Sequence, residues 1–285
     1  MYNLTIENEY GNSLTFNQIG GAYTITEIEG LSPAEADIQT STQALIDGEK
    51  FNSAKIQMRT LNIAFAIEYS AEYYRMEVYK VLHAKKKVKV SYKSDMRDVY
   101  IEGYVKSLPV THFEPKQIVT VSILCPDPYW KSAEIIVNEL ASTISAFHFP
   151  FASTAEPELV FGTIEIGQSI SIDNDGAAEC GLTIECQAIA TVTNPKIINY
   201  QTSEYIQINY TLQAGDLLRI TTYPGNKSVR LLRDGTWSNL FNYVKNGSTW
   251  LQLDIGSNEF VYTVGSGLAT DLFVTFKHQA LIEGV

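Results

Sequence analysis

The chain has 285 residues, 45% of them hydrophobic, and a net charge of −11. That length exceeds the usual single-domain size of about 100–150 residues and points to two domains, while the lack of any apolar run near the roughly 18 residues of a membrane helix argues against a helical membrane protein. Residues 1–130 carry 13 Lys+Arg against 16 Asp+Glu (−3) and residues 131–285 carry 8 against 16 (−8), a balance poorly suited to clamping nucleic acid, which needs clustered cations.

The opening "MYNLTIENEY" is acidic and strand-like, without the basic start and apolar core of a signal peptide, so export by that route is not expected. Strand patterning continues in "LTFNQI", "AYTITEI" and "LNIAFAIE", where Leu61, Ile63, Phe65 and Ile67 alternate with Asn62, Ala64, Ala66 and Glu68. Between Gly30 and Arg59 the pattern weakens into a polar stretch poor in aromatic core candidates. Two readings stay open there: an arm that buries itself on a neighbouring copy, or a long surface loop with a hairpin at Asp47-Gly48. In "AEYYRMEVYKVLHA", Tyr74, Val78, Val81 and Leu82 form one apolar stripe, which predicts a helix over Glu72 to Leu82. Two strands follow, "KKVKVSYK" and "VYIEGYVKSL", joined by the polar turn "SDMRD". Lys87, Lys89 and Lys93 share a solvent face, either as a solvated strand surface that resists edge pairing or as a contact with an acidic neighbouring subunit.

The strand Val119 to Cys125 is stopped by Pro126 and Pro128, neither of which can donate to a sheet ladder. This break predicts domains at 1–130 and 131–285. In the second half about ten alternating runs extend from "ELVFGTIEI" to "LFVTFK", separated by turns such as "DNDG", "YPGNK", "RDG" and "NGS", with no helix. That spacing predicts a β-sandwich of jelly-roll type.

Little points to chemistry. His83, His112, His148 and His278 are scattered without metal-ligand spacing, and neither GxSxG, Walker A nor GxGxxG occurs. "SIDNDGAAE" starts like a calcium loop at Asp173, Asp175 and Gly176, but lacks the Glu at loop position 12 and the flanking helices, so it reads as a β-turn. Cys180 and Cys186 share a strand face about 20 Å apart, too far for a disulfide, and with Cys125 they read as packing. No catalytic, cofactor or metal residue is assigned, and stability is expected to be indifferent to chelator and reductant. Tyr223, Trp237 and Trp250 are the candidates for a saccharide platform, with core packing as the competing reading.

Taken in order, "EIEGLSPAEADIQTS", "DGEKFNSAKIQMR", "VKVSYKSDMRDVYIEGYVKSL" and "VTVSILCPDPYWKS", then "EYIQINYTLQAGDLLRITTYPGNKSVRLL", "NLFNYVKNGSTWLQLDIGSNEFVYTVGSG" and the terminal "GV", resemble the siphovirus distal tail protein family. The resemblance implies a mainly β protein: a tail-tube-like, ring-forming domain with one helix and an extended arm, then a galectin-like or carbohydrate-module-like β-sandwich. It implies a non-enzymatic hub at the distal end of the virion tail, made in the host cytoplasm. Its implied partners are five further copies in a hexameric ring, the tail tube protein, and tail-tip, tail fibre or baseplate proteins including receptor-binding parts; no membrane is implied, and nucleic acid enters only as DNA passing through the ring lumen. The alternative is a carbohydrate-binding adhesion module that recognises the host surface directly, followed by a phage-encoded hydrolase.

Overall fold

The computed structural model describes residues 2–16, 21–44, 47–112, 116–139, 141–144, 163–166 and 169–285. The chain divides into two compact units, Met1–Glu134 with Leu281–Val285, and Ile135–Ala280. The protein is mainly β, as its alternating runs require, with one α-helix among the described residues.

In the first unit the strands are β1 (Asn3–Asn8), β2 (Ser13–Phe16), β3 (Tyr23–Glu29), β4 (Ala36–Thr42), β5 (Glu49–Ile56), β6 (Arg59–Ile67), β7 (Lys87–Lys93), β8 (Asp98–Ser107), β9 (Ile118–Cys125) and β10 (Trp130–Ser132). A nine-stranded sheet runs β2-β1-β7-β8-β9-β6-β3, with β10 pairing β8 and Leu281–Ile282. Period-2 patterning sets its two faces. Leu61, Ile63 and Phe65, Val88 and Val90, and Val119, Val121 and Ile123 point into one core, whereas Thr60, Asn62 and Ala64 of β6 and the alternate residues of β9 are half-buried.

Helix α1 (Ala71–Val81) covers that core with Val78 and Val81, and Leu82 follows them inward. Its last turn is closed from outside: the Asn8 side-chain amide donates to the carbonyls of Lys80 and Val81, both at 3.3 Å. Those carbonyls have no partner further along the helix, so Asn8 satisfies groups that would otherwise be orphaned. The same side chain's oxygen accepts from the amides of Tyr10 and Asn12 at 3.0 Å, fixing the β1–β2 turn.

The second unit contains β11 (Ile136–Glu139), β12 (Ala141–Ile144), β13 (Thr163–Ile166), β14 (Ser169–Asn174), β15 (Leu182–Ala188), β16 (Val192–Thr193), β17 (Lys196–Asn199), β18 (Tyr205–Gln207), β19 (Thr211–Leu212), β20 (Leu217–Thr221), β21 (Ser228–Arg233), β22 (Thr236–Asn239), β23 (Gly256–Thr263) and β24 (Leu272–His278). A six-stranded sheet, β11-β24-β15-β20-β21-β22, and a four-stranded sheet, β14-β23-β17-β18, form the sandwich. Phe276 of the first sheet meets Phe260 of the second at 5.1 Å between ring centroids, within a core that also holds Ile184, Leu218 and Ile172. Short 3-10 turns at Phe241–Tyr243 and Ala269–Asp271 interrupt the strands. The first expected strand of this half is described only over Thr163–Ile166, and His148 lies outside the described residues.

The break at Pro126 and Pro128 leads into β10, and the first unit continues to Glu134. The expectation assigned 131–285 to the second domain; the structure returns Leu281–Val285, with the strand β25 (Leu281–Ile282), to the first unit. Trp130 pairs with Ile282 and Lys131 with Leu281, an antiparallel register whose connecting loop is the entire second unit. Two-residue strands carry almost no periodic signal, which is why alternation alone did not reveal this return.

Candidate functional site

The stretch between Gly30 and Arg59 folds as the hairpin β4–β5. Its ladder runs from Ala36–Ile56 to Thr42–Glu49, with a register shift after Gln39. Every residue of β5 is exposed, and in β4 all but Asp37 are exposed. Ile38, Phe51 and Met58 are each about three-fifths exposed, at 60%, 61% and 60%. A hairpin with apolar side chains on an otherwise bare ribbon gains little from its own unit, since a two-stranded hairpin is marginal in water without a covered face.

The root of this arm, by contrast, is tightly held. Arg59, the first residue of β6, is only 3% exposed. Its guanidinium donates to the carbonyls of Gly30, of Ser32 at 2.5 Å and of Glu283, while its Nε donates to Pro128 at 2.8 Å. It also lies 6.0 Å from the ring centroid of the fully buried Trp130. Burial pulls the Arg59 pKa below its ordinary value, and the charge of Glu283 opposes this. A buried guanidinium is tolerated because carbonyl oxygens answer its donors.

The 281–285 segment completes the clasp. The amide of Val285 donates to Leu31 at 3.1 Å, and Arg97 donates to the carbonyl of Gly284 at 2.5 Å. Gly284 lies so close to Pro33 that an added Cβ would sit 3.0 Å from its Cδ. The terminal "GV" of the sequence is thus a seat for the arm root.

The three lysines of β7 are engaged within their own sheet. Lys87 pairs with Glu102 at 2.9 Å and Lys93 with Asp98 at 2.7 Å, while the Lys89 ammonium lies 4.2 Å from the centroid of Tyr100. Such exposed pairs contribute modestly to stability. Across the same sheet, Glu27, Glu29, Asn62, Thr120 and Ser122 line a shallow depression of about 380 Å³. A larger one, about 780 Å³, lies between Tyr10 and Asn12 on one side and Met76, Tyr79 and Lys80 on the other.

In the second unit the aromatic candidates have separate partners. Trp237 receives Arg219 at 4.6 Å and Arg230 at 5.9 Å from its ring centroid, and Trp250 stacks on Phe241 at 5.5 Å. Tyr223 backs Gly181, where an added Cβ would meet its Cα at 2.5 Å. Glu185 joins Arg219 and Lys277, each at 2.8 Å, and its pKa falls: burial works against the fall, and these two cations outweigh it.

Asn174 holds the "DNDG" turn, accepting from Gly176 and donating to Ala178 and Leu253. Cys125, Cys180 and Cys186 are free and buried, and burial pushes their thiols up to about 12, 11 and 12 respectively. Among the described residues no cluster of three or more His, Cys, Asp or Glu side chains could hold a metal, and no helix is long and apolar enough to cross a membrane.

Residues 175–279 match the family model described as siphovirus-type tail component, C-terminal domain. That match lies within the second unit. In fold the chain is also similar, over nearly its whole length, to the SPP1 Dit (gp 19.1) protein, described as a paradigm of hub adsorption apparatus in Gram-positive-infecting phages, with a TM-score of 0.69, 14% identity, and 97% of this chain and 98% of that one covered. A chain of the phage P2 baseplate in its activated conformation with calcium matches at TM-score 0.56 and 11% identity, with 100% of both chains covered. No curated protein matches in sequence. The resemblance to the distal tail family is thus supported by the family model over residues 175–279 and, for the fold alone, by the similar structures over nearly the whole chain.

Proposed function

We propose that the protein is a structural component of a siphovirus tail, a hub at the distal end of the virion joining the tail tube to tail-tip or baseplate proteins and receptor-binding parts. The observation that carries this reading is the β4–β5 arm, whose exposed Ile38, Phe51 and Met58 call for a cover that its own unit does not supply. A second copy of the chain is that cover, and an arm reaching from each subunit to the next generates a ring where the rotation closes, six-fold as the distal tail resemblance implies. The partly apolar arm fits a neighbour, and the tail domain and hub-like fold supply the context.

Within such a ring the hydroxyl, amide and carboxylate groups of Thr120, Ser122, Asn62, Glu27 and Glu29 suit a lumen through which DNA passes without sticking, because they offer phosphates no cation. Lys87, Lys89 and Lys93 remain available to reorganise toward an acidic neighbour at small cost. The function is assembly and requires no catalysis. Synthesis in the host cytoplasm followed by incorporation into the tail is the corresponding itinerary.

The test is electron microscopy of assembled tails with this chain labelled. A six-fold ring of label between tube and tip is expected; tails whose distal end lacks such a ring overturn the reading. Glycan-array binding by the isolated protein, lost on Trp237→Ala, would favour the adhesion alternative instead.

A further inference from the structure

We propose that Leu281–Val285 is a strap that orients the arm, with Arg59 as the positioning residue between them. The proposal rests on the arm being the contact with a second copy. Its own evidence is internal to the first unit. The arm leaves the sheet at Gly30 and returns at Arg59, and apart from that covalent attachment its root is held by few groups: the amide of Gln57 donates to Glu35 at 2.8 Å, closing the hairpin itself. Contacts that fix the hairpin's base against the sheet meet at Arg59 and the strap, with Leu31 packed on the core beside them. Arg59 bonds the carbonyls of Gly30 and Ser32 on the arm side and that of Glu283 on the strap side, and Val285 bonds Leu31 directly. Ile282 and Val285 pack with Leu31 against the core.

The strap thus bridges the arm root to β10, where Trp130 and Lys131 pair with Ile282 and Leu281. Without it, Arg59 loses one of its carbonyl partners, Leu31 loses its amide donor, and the root keeps only a short swivel at Leu31 to Glu35. The hairpin stays folded while its direction becomes variable. A ring subunit needs the opposite, an arm already aimed at its neighbour, because ordering a swivelling arm at the moment of contact weakens association.

Spin labels at Ser13→Cys on the sheet and Ser53→Cys on the arm report this direction, since both sites are exposed and the three native thiols are buried. Pulsed electron spin resonance distances are compared among the full chain, a chain ending at Ile282, and Gly284→Val, which crowds Pro33 and leaves β25 pairing intact. The full chain should give a narrow distribution and both variants a broad one, with circular dichroism unchanged and hydrogen exchange at Gln57 accelerated by less than about tenfold, as expected when the hairpin itself persists. An equally narrow distribution in the shortened chain overturns the proposal, as does a full chain already broad. Ring assembly, scored separately by microscopy, keeps the two readings apart: broadened distances with normal rings leave the strap standing and remove the arm from the subunit contact. If Gly284→Val does not fold, the shortened chain alone decides.

Discussion

Gly30 takes a φ of +89°, and an added Cβ would lie 2.2 Å from the carbonyl oxygen of Thr60. Both the conformation and the space demand glycine at the point where the chain leaves the sheet for the arm. Gly30→Ala should therefore destabilise the first unit by about 1–3 kcal/mol or more, seen as a lower urea midpoint; an unchanged midpoint would mean that the root tolerates displacement. His278 offers a second test. It is fully buried and neither ring nitrogen finds a partner in hydrogen-bond geometry. Burial holds its pKa below the ordinary 6.5, opposed by the backbone of Asp173 and the charge of Asp175. A group depressed in the folded state contributes its stability above its unfolded pKa and loses it as pH falls toward the folded value. The thermal midpoint of the second unit should thus decline below about pH 6.5, and His278→Leu should flatten that decline without loss at pH 7, because it removes an orphaned polar group. Neither residue was legible in the sequence. Arg59 was least so: an arginine after a weakly patterned stretch reads as surface, and only the fold brings the carbonyls of Gly30, Pro128 and Glu283 around it.

At the scale of elements, alternation served well where one face is buried. Leu61, Ile63, Phe65 and Ile67 line the core as their period-2 spacing requires, and the stripe of Val78, Val81 and Leu82 matches a helix that begins at Ala71, one residue ahead of the expected start. Periodicity said little about β4 and β5 because neither has an inward face, and the observed hairpin meets both readings, with Asp47-Gly48 leading into β5 as in the loop reading and both strands exposed as an arm's would be. Its apolar side chains make a sharp prediction. Ile38→Glu and Phe51→Glu should leave the unfolding free energy of the isolated chain within about 0.5 kcal/mol, as surface changes do, yet abolish incorporation into tails in a complementation assay. A large loss of monomer stability would show instead that the arm folds back on its own subunit.

The whole molecule is organised by an insertion. Since β10 and β25 form a two-strand antiparallel pair, everything from Ala133 to Ala280 occupies the place of a hairpin turn. Replacing it with a short Asn-Gly turn should leave a soluble, cooperatively unfolding first unit, and Ile135–Ala280 should fold as a separate sandwich. A fragment of residues 1–134 alone should be less stable, because it exposes the edge of β10 and leaves Arg59 without Glu283. Urea titrations of the three proteins check this; equal midpoints for the fragment with and without 281–285 would remove any role of the return in stability. The sandwich was legible from turn spacing; the two prolines follow the end of β9, and the first unit runs on to Glu134. The return was not legible, because register between short, distant strands is a property of the closed fold.

This return also puts the units on a clock. Residues 281–285 are translated roughly 150 residues after β10, so at about 5–20 residues per second the first unit waits on the order of 10 s for its closing strand. Until then the strap has not been made, and on the reading that it aims the arm, a nascent chain has no oriented arm to offer. Several ribosomes on one message hold half-made copies close together at high local concentration, where premature arm exchange would tangle them. Placing the arm's anchor after the sandwich in chain order reserves subunit pairing for chains whose sandwich has already been synthesised.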